Sequence, residues 1–371
     1  MPQKVQPAAG GRNSNLELLR IISMVLILFH HYSLHGFPME GVALGWQKLF
    51  LQFLSLGGKV GVNLFVLISG YFLIESRFQV RKLLKLLAQV LFYSLGLFGV
   101  TVGLGITDFS LRSLYRSILP ISTGLYWFMT AYVILYLLSP YLNSWVKGMQ
   151  RRQHGKLLGI FLVLWVVIGT LPGVSMAYSA LFWFVVLYLL SAYLRLYPQE
   201  GWQHNRRLQA GACLAAGVLL CLSVVVIDLL SLRYPALASH ATDFKKENSI
   251  FVYVLSVSLF LLFLHRRPFV NRWINQLALS MLGVYLLHEN ELLYPTMFQD
   301  WLNGPKWLAS PWLAVHALLS VAAIFAAGVV IDQLRIFLLE RPLFSLLDRH
   351  WNGITAFLRR SLQRRRSKRR T

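Results

Sequence analysis

The sequence predicts an all-α, polytopic membrane protein that folds as a single bundle of about ten transmembrane helices, with both termini in the cytoplasm. Of its 371 residues, 56% are hydrophobic and only 13% are charged. Soluble domains are about 45–50% apolar and about 25% charged. Apolar runs of about 18 residues or more, long enough to cross a bilayer, recur along the chain. Lys and Arg residues are concentrated in alternate loops, which indicates a fixed orientation in the membrane.

Ten apolar segments are predicted to span the membrane, and no long polar linker separates them. They are Leu16–Leu34, Leu56–Ile74, Leu83–Leu104, Gly124–Leu142, Leu157–Leu171, Ala180–Leu196, Leu208–Leu230, Ile250–Leu264, Leu277–Leu293 and Trp312–Leu339. We therefore expect one membrane-embedded domain over residues 1–345, followed by a basic cytoplasmic tail over residues 346–371.

The net charge of +22 has two interpretations. In a soluble protein it would suggest nucleic acid. With the N-terminus inside, however, 28 of the 36 Lys and Arg residues fall on the cytoplasmic side. This asymmetry predicts a multi-pass protein of the cell membrane, with membrane lipid rather than nucleic acid as the partner of these charges. The tail RRSLQRRRSKRR is then a solvated stop-transfer segment on an anionic leaflet, and RNA or protein binding by the tail is the alternative.

The first predicted span, NLELLRIISMVLILFHHYSLHG, carries ionisable residues inside an apolar run. Such residues are functional candidates by default. Arg20 and His31 are eleven residues apart, so they lie within about 20° of one helix face and roughly 16 Å apart along the axis. Glu17 precedes Arg20 by three residues and can pair with it. His35 extends the same stripe, whereas His30 points about 100° away and is expected to pack or to support the stripe.

This stripe predicts a site for an extended substrate. Arg is suited to phosphate through bidentate hydrogen bonds, and His is suited to proton transfer at neutral pH. A phosphorylated, thioester-bearing coenzyme has the matching shape, with its phosphate end at the cytoplasmic face. The structural alternative is that Arg20 snorkels with Glu17 as its surface partner and that the histidines are interfacial anchors.

The same segment resembles the opening of the acyltransferase 3 family of integral-membrane O-acyltransferases. That family carries an Arg and a His separated by ten residues in its first helix, matched here by Arg20 and His31. Later segments are also similar to the family, so the resemblance covers nearly the whole chain. They are GGKVGVNLFVLISGYFLIES, the basic residues Arg81, Lys82 and Lys85, YWFMTAYVILYLLSPYLN and LSMLGVYLLHEN.

The resemblance implies an enzyme that uses acetyl-CoA or another acyl-CoA as a cytoplasmic co-substrate, with no bound cofactor. The implied acceptor is a hydroxyl of a cell-surface or lipid-linked glycan. His31 would act as a general base or relay the acyl group covalently, and Glu17 would orient Arg20. Arg20 would bind the donor phosphates together with three further basic residues, Arg81, Lys82 and Lys85.

Three other residues are candidates for the acceptor side of the site. His288 and Glu289 lie toward the outer end of the ninth predicted span, at a level comparable with His31. Asn63, in the second span, is expected to hydrogen-bond to the first span. No zinc-type cluster is present, so we expect no metal. Asp332 and Arg335 are three residues apart and are expected to form an internal ion pair.

The rival function is a transporter or flippase for a lipid-linked saccharide, in which polar residues within the spans would line a pathway. Transporters often contain internal repeats and paired broken helices, and the sequence pattern indicates neither. A purely structural scaffold is a third interpretation, which the stripe on the first span disfavours.

Overall fold

The computed structural model describes residues 13–39, 42–174, 178–197 and 201–346, and no strand occurs among them. The predicted all-α class is therefore confirmed for these residues. The basic tail beyond Leu346 lies outside the described residues.

Thirteen α-helices occur in this part of the chain. They are α1 (Ser14–Gly36), α2 (Trp46–Leu73), α3 (Val80–Gly103), α4 (Leu111–Ile118), α5 (Trp127–Lys147), α6 (Arg151–Phe161), α7 (Ala180–Leu196), α8 (Arg206–Ser231), α9 (Ile250–Leu264), α10 (Arg272–Ala278), α11 (Met281–His288), α12 (Gly304–Trp307) and α13 (Leu313–Arg335). Short π or 3₁₀ segments extend α6, precede α9 and α12, and extend α13: Leu162–Val167, Ile168–Thr170, Pro235–His240, Asp243–Lys245, Thr296–Trp301 and Ile336–Glu340.

Seven helical segments of the described residues are long and apolar enough to cross a membrane. They are Ser14–Gly36, Trp46–Leu73, Val80–Gly103, Arg151–Thr170, Arg206–Ser231, Pro235–Leu264 and Leu313–Leu346. Helix α7 is apolar but shorter. The chain is thus a multi-pass membrane protein, whereas the total of ten spans and the cytoplasmic termini stay predictions.

The prediction of one continuous helix over Leu277–Leu293 is wrong. Helix α10 ends at Ala278, and α11 covers only Met281–His288. The hydroxyl of Ser280, at the break, accepts a hydrogen bond of 2.6 Å from Gln333 on α13. Hydropathy does not detect the break, because it falls inside the apolar run that begins at Leu277.

Helices α1 and α2 approach closely because glycines face α1. A Cβ atom at Gly61 would lie 2.5 Å from the backbone oxygen of Ser23, and one at Gly58 would lie 2.5 Å from Cβ of His30. Small residues permit this kind of approach between membrane helices. The two glycines therefore determine how near the histidines of α1 come to α2.

A buried polar network connects α13 to α3 and α11. The Asp332 carboxylate accepts hydrogen bonds from Nε of Arg335 at 2.8 Å and from the Tyr93 hydroxyl at 3.0 Å. A Cβ atom at Gly283 would lie 2.6 Å from Cβ of Asp332, so the carboxylate packs directly on α11. The expected internal ion pair between Asp332 and Arg335 is present, and its position holds α11 against α13.

Two apolar clusters flank the centre of the bundle. One is built mainly from α2, α5, α7 and α9, and the other from α1, α3, α5, α11 and α13. Helix α1 contributes to both clusters, Ile27 to the first and Met24 to the second. The histidines one to two turns beyond these residues therefore lie where the clusters meet.

Candidate active site

A cavity of about 420 Å³ lies between α1, α2, α5 and α11. Along α1 its lining extends from Met24 to Leu34, which is about 15 Å of helix. Most of the lining is apolar or aromatic. Its acidic and basic residues are His30, His31, Lys59, Lys245 and Glu289. Titratable groups that converge on one mostly apolar cavity are the usual mark of a binding or active site.

His31 contacts two residues at the end of α11. Its Nδ1 lies 2.9 Å from Nε2 of His288 and 3.1 Å from Oε2 of Glu289. His31 is only 8% exposed and His288 is fully buried. The structure therefore brings together His31, His288 and Glu289, as their expected common level in the membrane had suggested.

The hydrogen-bond partners assign the tautomers of both rings. Nδ1 of His288 lies 2.6 Å from the carbonyl oxygen of Val284, which can only accept, so this Nδ1 carries a proton. Nε2 of a neutral His288 is then an acceptor, and Nδ1 of His31 donates to it. A neutral His31 consequently keeps its free lone pair on Nε2, which is the atom available to act as a base.

Glu289 also accepts a hydrogen bond from Nε2 of His35 at 3.2 Å. The ligand atoms of His31, His35 and Glu289 all lie within 4.8 Å of one another, so the three residues could also hold a metal ion. Hydrogen bonds from the two imidazoles to one carboxylate account for the same spacing without an ion.

His30 lines the cavity but has a different partner. Its Nδ1 donates to the carbonyl oxygen of Ser55 on α2 at 2.7 Å. The ring fits against α2 because residue 58 is glycine. His30 is thus held by backbone and by close packing, in keeping with its expected supporting role.

The N-terminal end of the α1 stripe contains the expected pair of Glu17 and Arg20. Nη1 of Arg20 lies 3.2 and 3.1 Å from the two carboxylate oxygens of Glu17. Glu17 is almost fully buried, whereas the Arg20 side chain is 20% exposed. Glu17 therefore fixes the guanidinium and leaves part of it accessible.

The three other basic candidates lie in the first turns of α3. Arg81 and Lys82 are exposed, and Lys85 forms an ion pair of 3.2 Å with Glu340. Glu340 also accepts a hydrogen bond from Arg335 at 2.8 Å. A phosphate ligand would have to compete with Glu340 for Lys85.

Asn63 does not hydrogen-bond to α1, contrary to expectation. Its amide donates to the backbone oxygen of Glu247 at 2.8 Å, and its oxygen accepts from Nε1 of Trp183 at 2.9 Å. Asn63 is fully buried and is not among the residues that line the cavity. Asn63 therefore connects α2 to α7 and to the segment before α9. It lies behind the residues of α2 that line the cavity and helps to hold them in place.

Sequence reasoning missed two lysines of the cavity. Lys59 and Lys245 were counted only among the eight Lys and Arg residues that do not fall on the cytoplasmic side, although the predicted second span, Leu56–Ile74, already contains Lys59. In the structure Lys59 lies in the middle of α2, so the rule that intramembrane ionisable residues are functional candidates applied to it and was not used. Lys245 carries no such local signal, because it precedes α9 in a connecting segment.

Comparisons with known proteins agree with this geometry. The family model described as an acyltransferase domain matches residues 13–331, which extend from α1 into α13. No curated protein and no solved structure matches the chain.

Proposed function

Since this chain belongs to the acyltransferase family whose domain model it matches, we propose that it is a membrane O-acyltransferase. It transfers an acetyl group from cytoplasmic acetyl-CoA to a hydroxyl of a cell-surface or lipid-linked glycan. The observation that carries the proposal is the imidazole of His31 at the wall of the central cavity, where its Nδ1 hydrogen-bonds with His288 and lies 3.1 Å from the Glu289 carboxylate.

In the proposed reaction, Nε2 of His31 takes the proton of the acceptor hydroxyl. The hydroxyl oxygen attacks the thioester carbonyl, a C–O bond forms, the C–S bond breaks, and the proton leaves with the CoA thiol. Glu289 and His288 orient the ring, and the carboxylate stabilises the imidazolium that forms. Acylation of the same nitrogen, followed by transfer to the hydroxyl, is the covalent version of this route.

The donor is proposed to enter from the cytoplasmic end of α1. Arg20 is prearranged by Glu17, and a guanidinium suits phosphate oxygens. His31 lies about 16 Å farther along the helix, so an extended donor can reach from one residue to the other. Arg81 and Lys82 are exposed on α3 and supply further positive charge for the phosphates.

One observation favours the rival function of a saccharide transporter. The segment of α10 and α11 is interrupted next to the site, and interrupted helices occur in transporters. The two functions differ in chemistry: a transporter needs no base and leaves the acceptor unmodified.

The test is the O-acetyl content of surface glycans in cells that express wild-type protein, His31→Ala or His30→Ala, with membrane levels compared by blot. General-base catalysis typically contributes roughly 10²- to 10⁴-fold, so we expect His31→Ala to lose acetylation to that extent. His30→Ala is expected to cost much less, because its Nδ1 is bound to backbone. Near-normal acetylation by His31→Ala, or a larger loss from His30→Ala, would refute the assignment.

A further inference from the structure

Lys245 is a basic residue of the cavity that forms no salt bridge with a described residue, although Asp243 attracts its charge from beyond 4 Å. It ends the 3₁₀ turn Asp243–Lys245 before α9, and its side chain lines the cavity. Within the described ranges, its ammonium group makes no hydrogen bond or ion pair. The nearby Asp243 carboxylate instead accepts a hydrogen bond from His240 at 2.8 Å.

The other lysine of the cavity is already neutralised. Nζ of Lys59 lies 3.3 Å from the Glu247 carboxylate, and it lies 4.7 Å above the ring of Trp127. The Tyr178 hydroxyl donates to the same carboxylate at 2.6 Å. Burial and the adjacent carboxylate raise the pKa of Tyr178, so this phenol stays a neutral donor. Lys59 therefore forms an ion pair with a carboxylate, whereas Lys245 forms none with the described residues.

The acid of the cavity is not the ion-pair partner of Lys245 either. Glu289 accepts a hydrogen bond from His35 at 3.2 Å and lies 3.1 Å from Nδ1 of His31. Among the described residues that line the cavity, Lys245 is thus the lysine without a salt bridge. A cation that is partly removed from water gains most when a ligand supplies an anion.

The position of Lys245 indicates which reactant supplies that anion. Glu247, the ion-pair partner of Lys59, lies two residues beyond Lys245 in the chain. Lys59 itself follows Gly58, and Gly58 packs on His30. Lys245 therefore belongs to the histidine end of the cavity. Arg20, the proposed phosphate-binding residue, lies ten residues before His30 on α1, or about 15 Å away. A charged group at Lys245 would belong to the molecule that meets His31 from the side opposite to the donor phosphates.

We infer that the acceptor carries an acid group, a uronic-acid carboxylate or a phosphate, and that Lys245 binds it while His31 acts on a neighbouring hydroxyl. This inference rests on the proposed acyl transfer and specifies its acceptor as an acidic glycan. Lys245 is then a specificity residue: it selects the acceptor by charge and takes no part in the bond changes.

The test uses two probes that differ only in charge, phenyl β-D-glucuronide and its methyl ester. Their dissociation constants are measured by ligand-observed NMR on the purified full-length protein. We expect the acid to bind wild type about tenfold more tightly than the ester, because the ester cannot form the partly desolvated charge pair with Lys245. Lys245→Gln should abolish the difference by weakening the acid alone, and Lys245→Arg should keep most of it.

Lys246→Gln is the matched control, because Lys246 is exposed and does not line the cavity. It should preserve the preference for the acid. The inference would be overturned if wild type bound the acid and the ester equally or bound neither. It would also be overturned if Lys246→Gln lost the preference for the acid as Lys245→Gln does. A parallel comparison of succinyl-CoA with acetyl-CoA covers the other source of a carboxylate. A preference for succinyl-CoA that Lys245→Gln removes would assign Lys245 to the donor and also overturn it.

The same variants separate this inference from the proposed function. His31→Ala should keep the binding preference for the acid while it loses glycan acetylation. If acetylation survives in His31→Ala and the preference persists, the acyl-transfer proposal fails and the anion site stands. If acetylation depends on His31 but acid and ester bind alike, only the inference about the acceptor fails.

Discussion

Substitution of Glu289 by Gln tests whether the carboxylate assists His31. The amide keeps the shape of the side chain, whose Oε2 lies 3.1 Å from Nδ1 of His31, but the negative charge is lost. Polar interactions with charged groups contribute about 1.5–3 kcal/mol, and neutral ones about 0.5–1.5 kcal/mol. The midpoints differ by roughly 1.3 kcal/mol, which corresponds to nearly a tenfold loss of rate.

The loss should appear in kcat and leave the KM for acetyl-CoA unchanged. In the proposed reaction the imidazolium that Glu289 would stabilise exists only during turnover, whereas Arg20, the proposed donor-binding residue, lies about 16 Å away. The assay is transfer of radiolabel from acetyl-CoA to envelopes prepared from cells that lack this protein. Glu289→Ala should lose more, roughly 10- to 100-fold, because His288 is then the remaining acceptor for Nδ1 of His31.

Glu291→Gln is the control for these variants. Glu291 is two residues away and pairs at the surface with Arg116 at 2.6 Å, with about 30% of each side chain exposed. Surface ion pairs of this kind contribute about 0–1 kcal/mol, so the rate should stay at the wild-type level. Wild-type kcat in Glu289→Gln, or the same loss in Glu291→Gln, would refute the role assigned to Glu289.

Four further predictions concern packing, the donor and metal. Gly61→Ala should lower the thermal midpoint of the purified protein, since overpacking typically costs about 1–3 kcal/mol; Gly99→Ala, where no atom lies within 4 Å of the added Cβ, should not lower it. Arg20→Ala should weaken acetyl-CoA binding in calorimetry and Arg20→Lys should restore it only in part, and equal affinities of wild type and Arg20→Ala would exclude the phosphate role. Asp332→Ala should destabilise by about 1–3 kcal/mol in thermal unfolding, because the Tyr93 hydroxyl and Nε of Arg335 lose their buried acceptor while Arg335 keeps Glu340, and an unchanged midpoint would contradict the packing of α11 on α13. Dialysis against EDTA should leave the transfer rate unchanged, and a loss that zinc restores would assign a metal to the histidine cluster.

Local sequence was sufficient for features that depend on one segment at a time. Hydropathy identified the all-α membrane class, and Ala180–Leu196 and Ile250–Leu264 were predicted with the bounds that the structure has. Helical periodicity placed Arg20 and His31 on one stripe and paired Glu17 with Arg20, because neighbours three or four residues apart meet on any α-helix. The same periodicity paired Asp332 with Arg335.

Only the tertiary structure decided which distant residues share the site. His31 meets His288 across 257 residues of chain, and the close packing of membrane helices, not a local pattern, sets that contact. Hydropathy missed the break between α10 and α11 because it lies inside the apolar run that begins at Leu277, and it missed the first turns of α2 because Gln47, Lys48 and Gln52 interrupt the apolar sequence there. Whether Lys59 or Lys245 pairs with Glu247 likewise depends on how the connecting segment before α9 packs against α2.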